Sequence, residues 1–524
     1  MTAYAAALEP AQADAYLSAQ EQFNSIIIQL RSQQAQQMTH SQLEQFLETD
    51  GRELLRLMFQ AHLDERGPGA VSEPVVDATG HSHTHQRLHS RSIKTIFGAV
   101  TITRQGYGGR ALESLHPLDA QLNLPPENYS HTLQQRLAEA AAKESFDEVV
   151  ATIHQQTGLI IPKRQAEESA RRSAQDFELF YARQRAQTAP EVKATSDILV
   201  ISADGKGVPM LKADLQAATR KAAEERKPRL NHRRSKGEKA HTKRMGTVAA
   251  VYTIAPFVRT PAQIVRELEP VRDTAPARPR PEDKRVWASI KHPPETIIAQ
   301  AFEEAHRRDP KQTKQWVALV DGNPLQLGLL LCAATDYGVE LEIILDLIHV
   351  LEYLWKAAWV LHAEGDQEAE TWVSQRLTEI LRGRSSQVAA GIRRRATLRG
   401  LSAKQRAPLD TCANYLLKYG KFLRYDRYLA AGYPIASGVI EGACRYLVKD
   451  RMEITGARWS LAGAEAVLQL RSLRASGDFE QYWGFHLQQE YKRNHQFHYA
   501  EGRLPTPKTK PEGKAKGSHL KLVK

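Results

Sequence analysis

Cysteine is almost missing from this chain of 524 residues: Cys332, Cys412 and Cys444 lie far apart, and none belongs to a C-x-x-C pair. That argues against a disulfide framework and a cysteine-held zinc, and it fits a reducing compartment. Long uncharged apolar runs are also missing. The most apolar stretch, 341–363, carries Glu342, Asp346, His349, Glu352 and Lys356, too many charges for a spanning helix, so no membrane partner is expected. The first residues have no basic segment and turn acidic at once, so a secretory signal is not expected and a cytoplasmic, nucleoid-associated location is. Phosphate-cradling glycine loops are absent. Gly205-Lys206-Gly207 lacks the rest of G-x-G-x-x-G, and no G-x-x-x-x-G-K-[ST] occurs, which leaves a dinucleotide or sugar-nucleotide enzyme poorly supported. With 42% hydrophobic and 25% charged residues, neither global disorder nor a collagen-like repeat fits. At about 150 residues per domain, the length suggests three or four domains.

What the chain does have is clustered positive charge. Lys and Arg number 72 against 60 Asp and Glu, a net of +12. Residues 212–245 hold twelve Lys and Arg against four Asp and Glu, and 503–524 hold seven against one Glu. Runs of this kind suit a polyanion, because each neutralised phosphate releases condensed counterions. The segment around Arg233 and Arg234 interrupts what otherwise reads as a strand pair and is expected to contact nucleic acid. The tail, with Pro505, Pro507 and Pro511 and few large apolar side chains, is expected to be disordered. A solvated, solubilising tail is the plain alternative.

Along the chain, 11–65 has helical periodicity, with Phe23, Ile26, Ile27, Leu30, Leu43, Phe46, Leu54, Leu55 and Met58 at steps of three and four. The polar stretch 66–90, with His81, His83, His85 and His89, reads as a mobile loop rather than a metal site. Residues 91–107 alternate around Gly98 as a β-hairpin would. Between 145 and 172, a helix, a break at Gly158 and Pro162, and a second basic helix have helix-turn-helix spacing. Lys163, Arg164, Arg171 and Arg172 then become candidate DNA contacts, and a packing hairpin is the competing reading. From 196 onward, strands alternate with helices: SDILVISADG, GTVAAVYTI, QWVALVDG and VELEIIL are apolar and rich in β-branched residues. That pattern predicts a mixed α/β core. The Pro- and Arg-rich residues 259–294 are expected to loop over its surface.

Three carboxylates stand where chemistry would want them. Asp204 and Asp321 each end an apolar strand, and Glu441 lies on a helix with a lean face of Gly438, Gly442 and Ala443. Carboxylates at adjacent strand ends converge on one edge of a sheet. With a glutamate from a nearby helix they suffice for hard cations, Mg²⁺ or Mn²⁺, which take oxygen ligands. Two such ions can activate a nucleophile and stabilise the leaving oxygen of a phosphoryl displacement. Asp-Gly is also an ordinary turn signal, so a turn role competes. At α-helical spacing Glu441, Arg445 and Lys449 share a face, which suits metal plus phosphate, with simple intrahelical pairing as the alternative. Asp346 and His349 form D-x-x-H at a helix start, either facing one cleft or acting as an N-cap beside an incidental histidine.

These residues together resemble a known family. The Asp-Gly-Lys-Gly strand end, the later V-D-G, the D-x-x-H-V-x-E-Y-L-W helix start and the closing G-V-I-E-G-x-C-R-x-L-x-K-D-R-M-x-x-x-G-x-R-W are similar to insertion-sequence transposases of the ISKra type, distant relatives of Mutator-like DDE transposases. The likeness runs from about 91 to 485 and includes His116-Pro117-Leu118-Asp119. It implies a ribonuclease H-like catalytic core interrupted by a helical insertion, metal-dependent cleavage at the ends of a mobile element, strand transfer into target DNA, and a homo-oligomer on DNA. Carried over residue by residue, Asp204 matches the first acid and Glu441 the last. Asp321 is favoured as the second metal ligand, with Asp346 and His349 supporting the site or the scissile phosphate. Arg458 and Trp459 fall in the closing motif, where Trp459 either stacks on a flipped end nucleotide or packs in the core.

The organisation expected is therefore a helical N-terminal region (1–90), a hairpin and helix-turn-helix-like DNA-binding region (91–190), the first part of the catalytic domain (191–349), a helical insertion (350–432), the last part of the catalytic domain with the final acidic residue (433–490) and a basic disordered tail (491–524). Two other classes remain open: a ribonuclease H-like nuclease or resolvase that cuts without joining, and a DNA-binding protein without catalysis.

Overall fold

A computed structural model describes residues 14–186, 196–225, 241–267, 277–363, 365–454 and 456–508. They fall into two compact units. One holds the described residues up to Ala141, Phe146–Ser173 and those from Trp483 onward; the other holds Ala142–Ser145 and Ala174–Tyr482.

The first unit begins with helices α1 (Leu17–Leu30) and α2 (His40–Arg66). A capping box starts α2: Thr39 Oγ1 accepts from the Gln42 amide and Gln42 Oε1 accepts from the Thr39 amide. The two helices bury Ile26, Ala61 and Leu63 but leave Leu47, Leu55, Met58 and Phe59 of α2 exposed. Strands β1 (Val75–Val76) and β2 (Ser82–His83) pair with each other, and β3 (His85–Thr95), β4 (Gly98–Gly109) and β5 (Leu112–Leu115) form an antiparallel sheet. Thr95 pairs with Gly98, leaving Ile96 and Phe97 as a two-residue turn. Gly98 sits at φ 135°, and a Cβ there would lie 2.7 Å from Arg56 Cδ. Helices α3 (Phe146–Thr157) and α4 (Lys163–Ser173) follow, with Gly158 in the left-handed region after α3.

Two expectations for this unit need correction. Residues 66–90 are not a plain loop. Asp77 accepts from the amides of Thr79 and His81, and buried His83 bonds its other carboxylate oxygen at 3.0 Å, which pins the turn between β1 and β2. The strands escaped notice because their residues are polar or too few to alternate. Nor is the chain disordered from 491. Lys508 donates to the Ala70 carbonyl, Thr506 accepts from Ser72, and Tyr499 is buried with Val71, Val75 and Tyr107. One aromatic in a cluster supplied by distant residues is enough to seat this segment; residues 509–524 lie outside the described residues.

The second unit is built on a five-stranded mixed sheet of β6 (Ile198–Pro209), β7 (Lys243–Ile254), β8 (Glu282–Ser289), β9 (Gln315–Val320) and β10 (Leu341–Leu345), in the order β10-β9-β6-β7-β8. β6 and β7 are antiparallel, as are β7 and β8; β9 is parallel to both β6 and β10. The fold class is thus mixed α/β. Ile198–Ile201, Val248–Val251 and Val317–Leu319 are wholly buried, as continuous β-branched runs in a two-sided sheet should be. Helix α5 (Pro294–Arg308) packs on β6 and β7. Helices α6 (Pro324–Tyr337) and α7 (Leu347–Leu361) follow β9 and β10. Then come α8 (Gln367–Leu381), α9 (Ser385–Leu398), α10 (Ala403–Lys418), the short α11 (Gly438–Ala443) and α12 (Leu461–Ser476).

The expectation of a surface loop over 259–294 is corrected here, because the segment supplies β8. Its charged residue Arg285 is buried: the guanidinium lies 3.6 Å from the Tyr181 ring centre, 4.5 Å from that of Trp287, and bonds Glu304 at 2.9 Å. Three arginines, Arg285, Arg307 and Arg308, hold the Glu304 carboxyl down at about 2 despite its burial. A strand with a buried arginine does not read as a strand in sequence.

Candidate active site

The sheet register brings the candidate acids together. Continuing the ladders past their last pairs, Ser202–Leu319 and Leu345–Val320, puts Asp204, Asp321 and Asp346 on one row across β6, β9 and β10. Asp321 and Asp346 follow the carboxyl ends of β9 and β10, the edge where open α/β sheets present ligand sites. Asp204 does not end its strand as expected: β6 continues to Pro209, and Asp204 stands mid-strand, paired with Val248 of β7.

Asp346 is wholly buried and saturated. Its Oδ1 accepts from the amides of Ile348 (3.1 Å) and Ser437 (3.2 Å), and its Oδ2 from Ser437 Oγ (2.6 Å) and His349 Nδ1 (3.0 Å). It caps α7, and it also ties down the segment entering α11, helped by the Leu347 amide donating to the Ile435 carbonyl. These bonds hold the carboxyl below its ordinary range although burial opposes them. The histidine answers in kind. The bond to Asp346 raises His349 to about 9, against partial burial, so it is an imidazolium at neutral pH.

The anchored segment delivers Glu441. Its carboxylate comes within 4.8 Å of the ligating atoms of Asp346 and His349. Burial raises its pKa first, then the charges of Asp346 and Asp204, against the opposing pull of His349. Carboxylates crowded in this way repel, and a bound cation would relieve them.

Asp204 and Asp321 are the less occupied acids. Asp204 accepts from the Gly205 amide and from the Cys444 thiol, 3.2 Å away. Burial and Asp204 push that thiol up, so it stays a neutral donor. Asp321 is half-buried, and its Oδ1 accepts from the Asn323 amide in a tight turn. It opens onto a cavity of about 450 Å³ lined also by Asn323, His349, Tyr353, Asn414 and Lys418.

One feature of this edge carried no local sequence signal. Four tyrosine hydroxyls from the helical residues after β10 donate to backbone carbonyls at or near the strand ends: Tyr415 to Asp321, Tyr419 to Gly322, Tyr425 to Leu345 and Tyr428 to Ile343. Burial raises the Tyr415, Tyr425 and Tyr428 hydroxyls, which keeps them protonated donors. These helices are thereby clamped onto the ends of β9 and β10.

Other sequence candidates fall elsewhere. The expected shared face of Glu441, Arg445 and Lys449 does not survive, because Cys444–Lys449 winds as a π-helix and the wider turn breaks the i, i+4 row. Arg445 pairs instead with Asp450 at 3.7 Å, and both Arg445 and Lys449 are exposed. Half-buried Arg471 donates to the Leu447 and Tyr446 carbonyls of that segment. Trp459 is packed: it is buried, its Nε1 donates to the Met452 carbonyl, and Arg451 covers its ring at 4.8 Å. Of the two readings, the packing of Trp459 matches the core one, and of the pair only Arg458 is exposed. In the first unit, Lys163 pairs with Asp147, Arg164 with Glu168 and Arg172 with Glu127. Arg171 is exposed. Arg233 and Arg234 lie outside the described residues.

No protein-family model matches the chain, and no curated protein sequence matches it. Among solved structures it is similar to one described as a Drosophila P element transposase strand transfer complex, at 11% identity and a TM-score of 0.22, over 70% of this chain and 81% of that chain.

Proposed function

We propose that the chain is a DNA transposase of the DDE kind, cutting DNA at the ends of its own mobile element and joining them to target DNA. The observation that carries this reading is the single row of Asp204, Asp321 and Asp346 with Glu441 brought against it. A strand trio joined antiparallel, β6-β7-β8, followed by two parallel strands, β9 and β10, supports a ribonuclease H-like core.

In this reading Asp204, Asp321 and Glu441 hold two Mg²⁺ or Mn²⁺ ions. Asp346 is the weaker ligand candidate because four donors already fill its oxygens, whereas Asp321 has one. The bound ions would supply charge neutralisation at the reacting phosphate and a site for the attacking oxygen. The chain's own part is placement. Asp346 fixes Ser437 and so the start of α11, the tyrosine clamps fix the strand ends, and the His349 imidazolium offers a positive charge to a phosphate entering the cavity. A homo-oligomer on DNA fits the exposed apolar stripe Leu47, Leu55, Met58 and Phe59 of α2, which two helices alone leave uncovered.

The test uses the full chain and DNA carrying the sequences that flank its gene. Labelled ends should be cleaved and then joined to a plasmid with Mg²⁺, and with EDTA they should not. Full activity in EDTA contradicts the metal reading. Cleavage without any joined product from pre-cut ends identifies a nuclease or resolvase instead.

A further inference from the structure

Tyr415 and Tyr419 do more than fix strand ends. Their hydroxyls bond the Asp321 and Gly322 carbonyls, so α10 is tied to the very residue that opens the cavity of about 450 Å³. The residues just before them, Asn414 and Lys418, stand one helical turn apart, and both line that cavity. With the tyrosine hydroxyls committed to carbonyls, Lys418 Nζ and the Asn414 amide are the donors that this wall has left. Lys418 is exposed, forms no ion pair among the described residues, and holds its ammonium 4.9 Å from the Tyr419 ring centre. Asn414 Oδ1 accepts from the Arg393 guanidinium of α9, which leaves its NH₂ end to donate. Against this positive wall the cavity lining has a single carboxylate, Asp321 at the opposite end.

We propose that Lys418 and Asn414 form a pocket for one backbone phosphate of the DNA strand, a neighbour of the phosphate that reacts at the acids. This rests on the reading of the acid row as a DNA-processing site. An unpaired ammonium beside an amide donor calls for an anion with several acceptor oxygens. The same ligand has to continue toward Asp321, because the cavity joins the two. A phosphodiester chain meets both demands, with one phosphate at the metal-holding acids and another on α10. The volume lies within the roughly 300–1,000 Å³ of small-ligand pockets, room for a single nucleotide of a strand and not for a duplex. Because the tyrosines hold α10 to the Asp321 turn, the two subsites keep a fixed spacing, and the strand is placed for attack rather than merely attracted. Contact with phosphate alone sets the strand's position without reading its bases.

The experiment measures binding of the full chain in Ca²⁺ to labelled DNA ends, unmodified or carrying one neutral methylphosphonate at each position in turn around the cut. Lys418→Gln should weaken binding of unmodified DNA about tenfold. It should also lower the slope of log affinity against log salt by about 0.7 to 0.9, the share of one phosphate contact. Lys418→Arg should retain both, and Asn414→Ala should lose affinity with the slope unchanged. At one methylphosphonate position close to the cut, the wild type should suffer the same loss and Lys418→Gln no further one. Mn²⁺ binding by Lys418→Gln should not weaken, since a cation is removed from beside the acids. An unchanged salt slope, a loss that persists at every methylphosphonate position, or weakened Mn²⁺ binding overturns the proposal. Cleavage is not the readout. Ends bound in the expected pattern but never cut would defeat the functional reading while the phosphate contact stands, and normal cutting by Lys418→Gln with the full salt slope would defeat the pocket alone.

Discussion

The sheet edge of the second unit and the α3–α4 helix pair of the first were both marked by charge in the sequence, and they handle it in opposite ways. At the helix pair, three of the four basic residues face a carboxylate: Lys163 has Asp147, Arg164 has Glu168 and Arg172 has Glu127. Charge there is spent locally on holding helices. At the sheet edge, Glu441 comes against Asp346 and the His349 imidazolium, with Asp204 and Asp321 on the same row, and Glu441 is pushed up by burial first and then by Asp346 and Asp204, against the pull of His349. Charges answered locally favour packing, whereas like charges crowded together would favour binding of an opposite charge.

The largest expected effect probes the surplus. Asp204→Asn, Asp321→Asn and Glu441→Gln keep side-chain shape and remove charge, so each should lower end cleavage about 1,000-fold or more while DNA binding persists; a loss of about 4 kcal/mol of transition-state stabilisation corresponds to that factor. A labelled-end assay beside a binding titration measures both.

Asp346 should behave differently. Asp346→Asn keeps the side chain's shape but weakens its bonds to Ser437 and His349, so cleavage should fall about 10- to 100-fold, as for partners that orient ligands. Ser437→Ala should give a smaller loss of the same kind. If Asp346→Asn is inactive while Asp321→Asn keeps most activity, the two acids exchange roles.

In the helix pair, the paired and unpaired cations should separate. Arg172→Ala should lower the melting temperature with little change in end discrimination, and Arg171→Ala should do the reverse. Equal effects on both readouts would erase the contrast between the two regions.

The smallest effect is on stability against pH. His349 has a folded pKa raised from 6.5 to about 9, so its contribution is fully present below 6.5 and disappears as pH rises through about 9. The gap in melting temperature between the wild type and His349→Gln, measured without metal, should therefore narrow from pH 6.5 to 9. A gap that widens would contradict the ion pair.

Much of this architecture was legible because hydrophobic runs announce strands. Ile198–Ala203, Gly246–Ile254 and Trp316–Val320 are apolar and β-branched, and each lies within a strand of the sheet. What escaped was anything whose stabilising partner is distant in sequence. β8 carries a buried arginine that makes sense only beside Glu304, Tyr181 and Trp287. Tyr415 and Tyr419, and Tyr425 and Tyr428, stand at helical spacing, but nothing in that spacing points to a carbonyl some 80 to 97 residues away. The π-winding of Cys444–Lys449 leaves no mark in composition, so an α-helical ruler misplaces Arg445 and Lys449. In sequence Trp459 suits both a stacking residue and a core one, and its contacts with Met452 and Arg451 are visible only in the fold.

The most direct test of the central claim is divalent-ion binding to the full chain, followed by Mn²⁺ electron paramagnetic resonance without DNA. The wild type should bind Mn²⁺ in competition with Mg²⁺, Asp321→Asn and Glu441→Gln should weaken that binding at least tenfold, and Asp346→Asn should weaken it less. Unchanged binding in Asp321→Asn and Glu441→Gln would contradict the assignment of this sheet edge as a metal-holding active site.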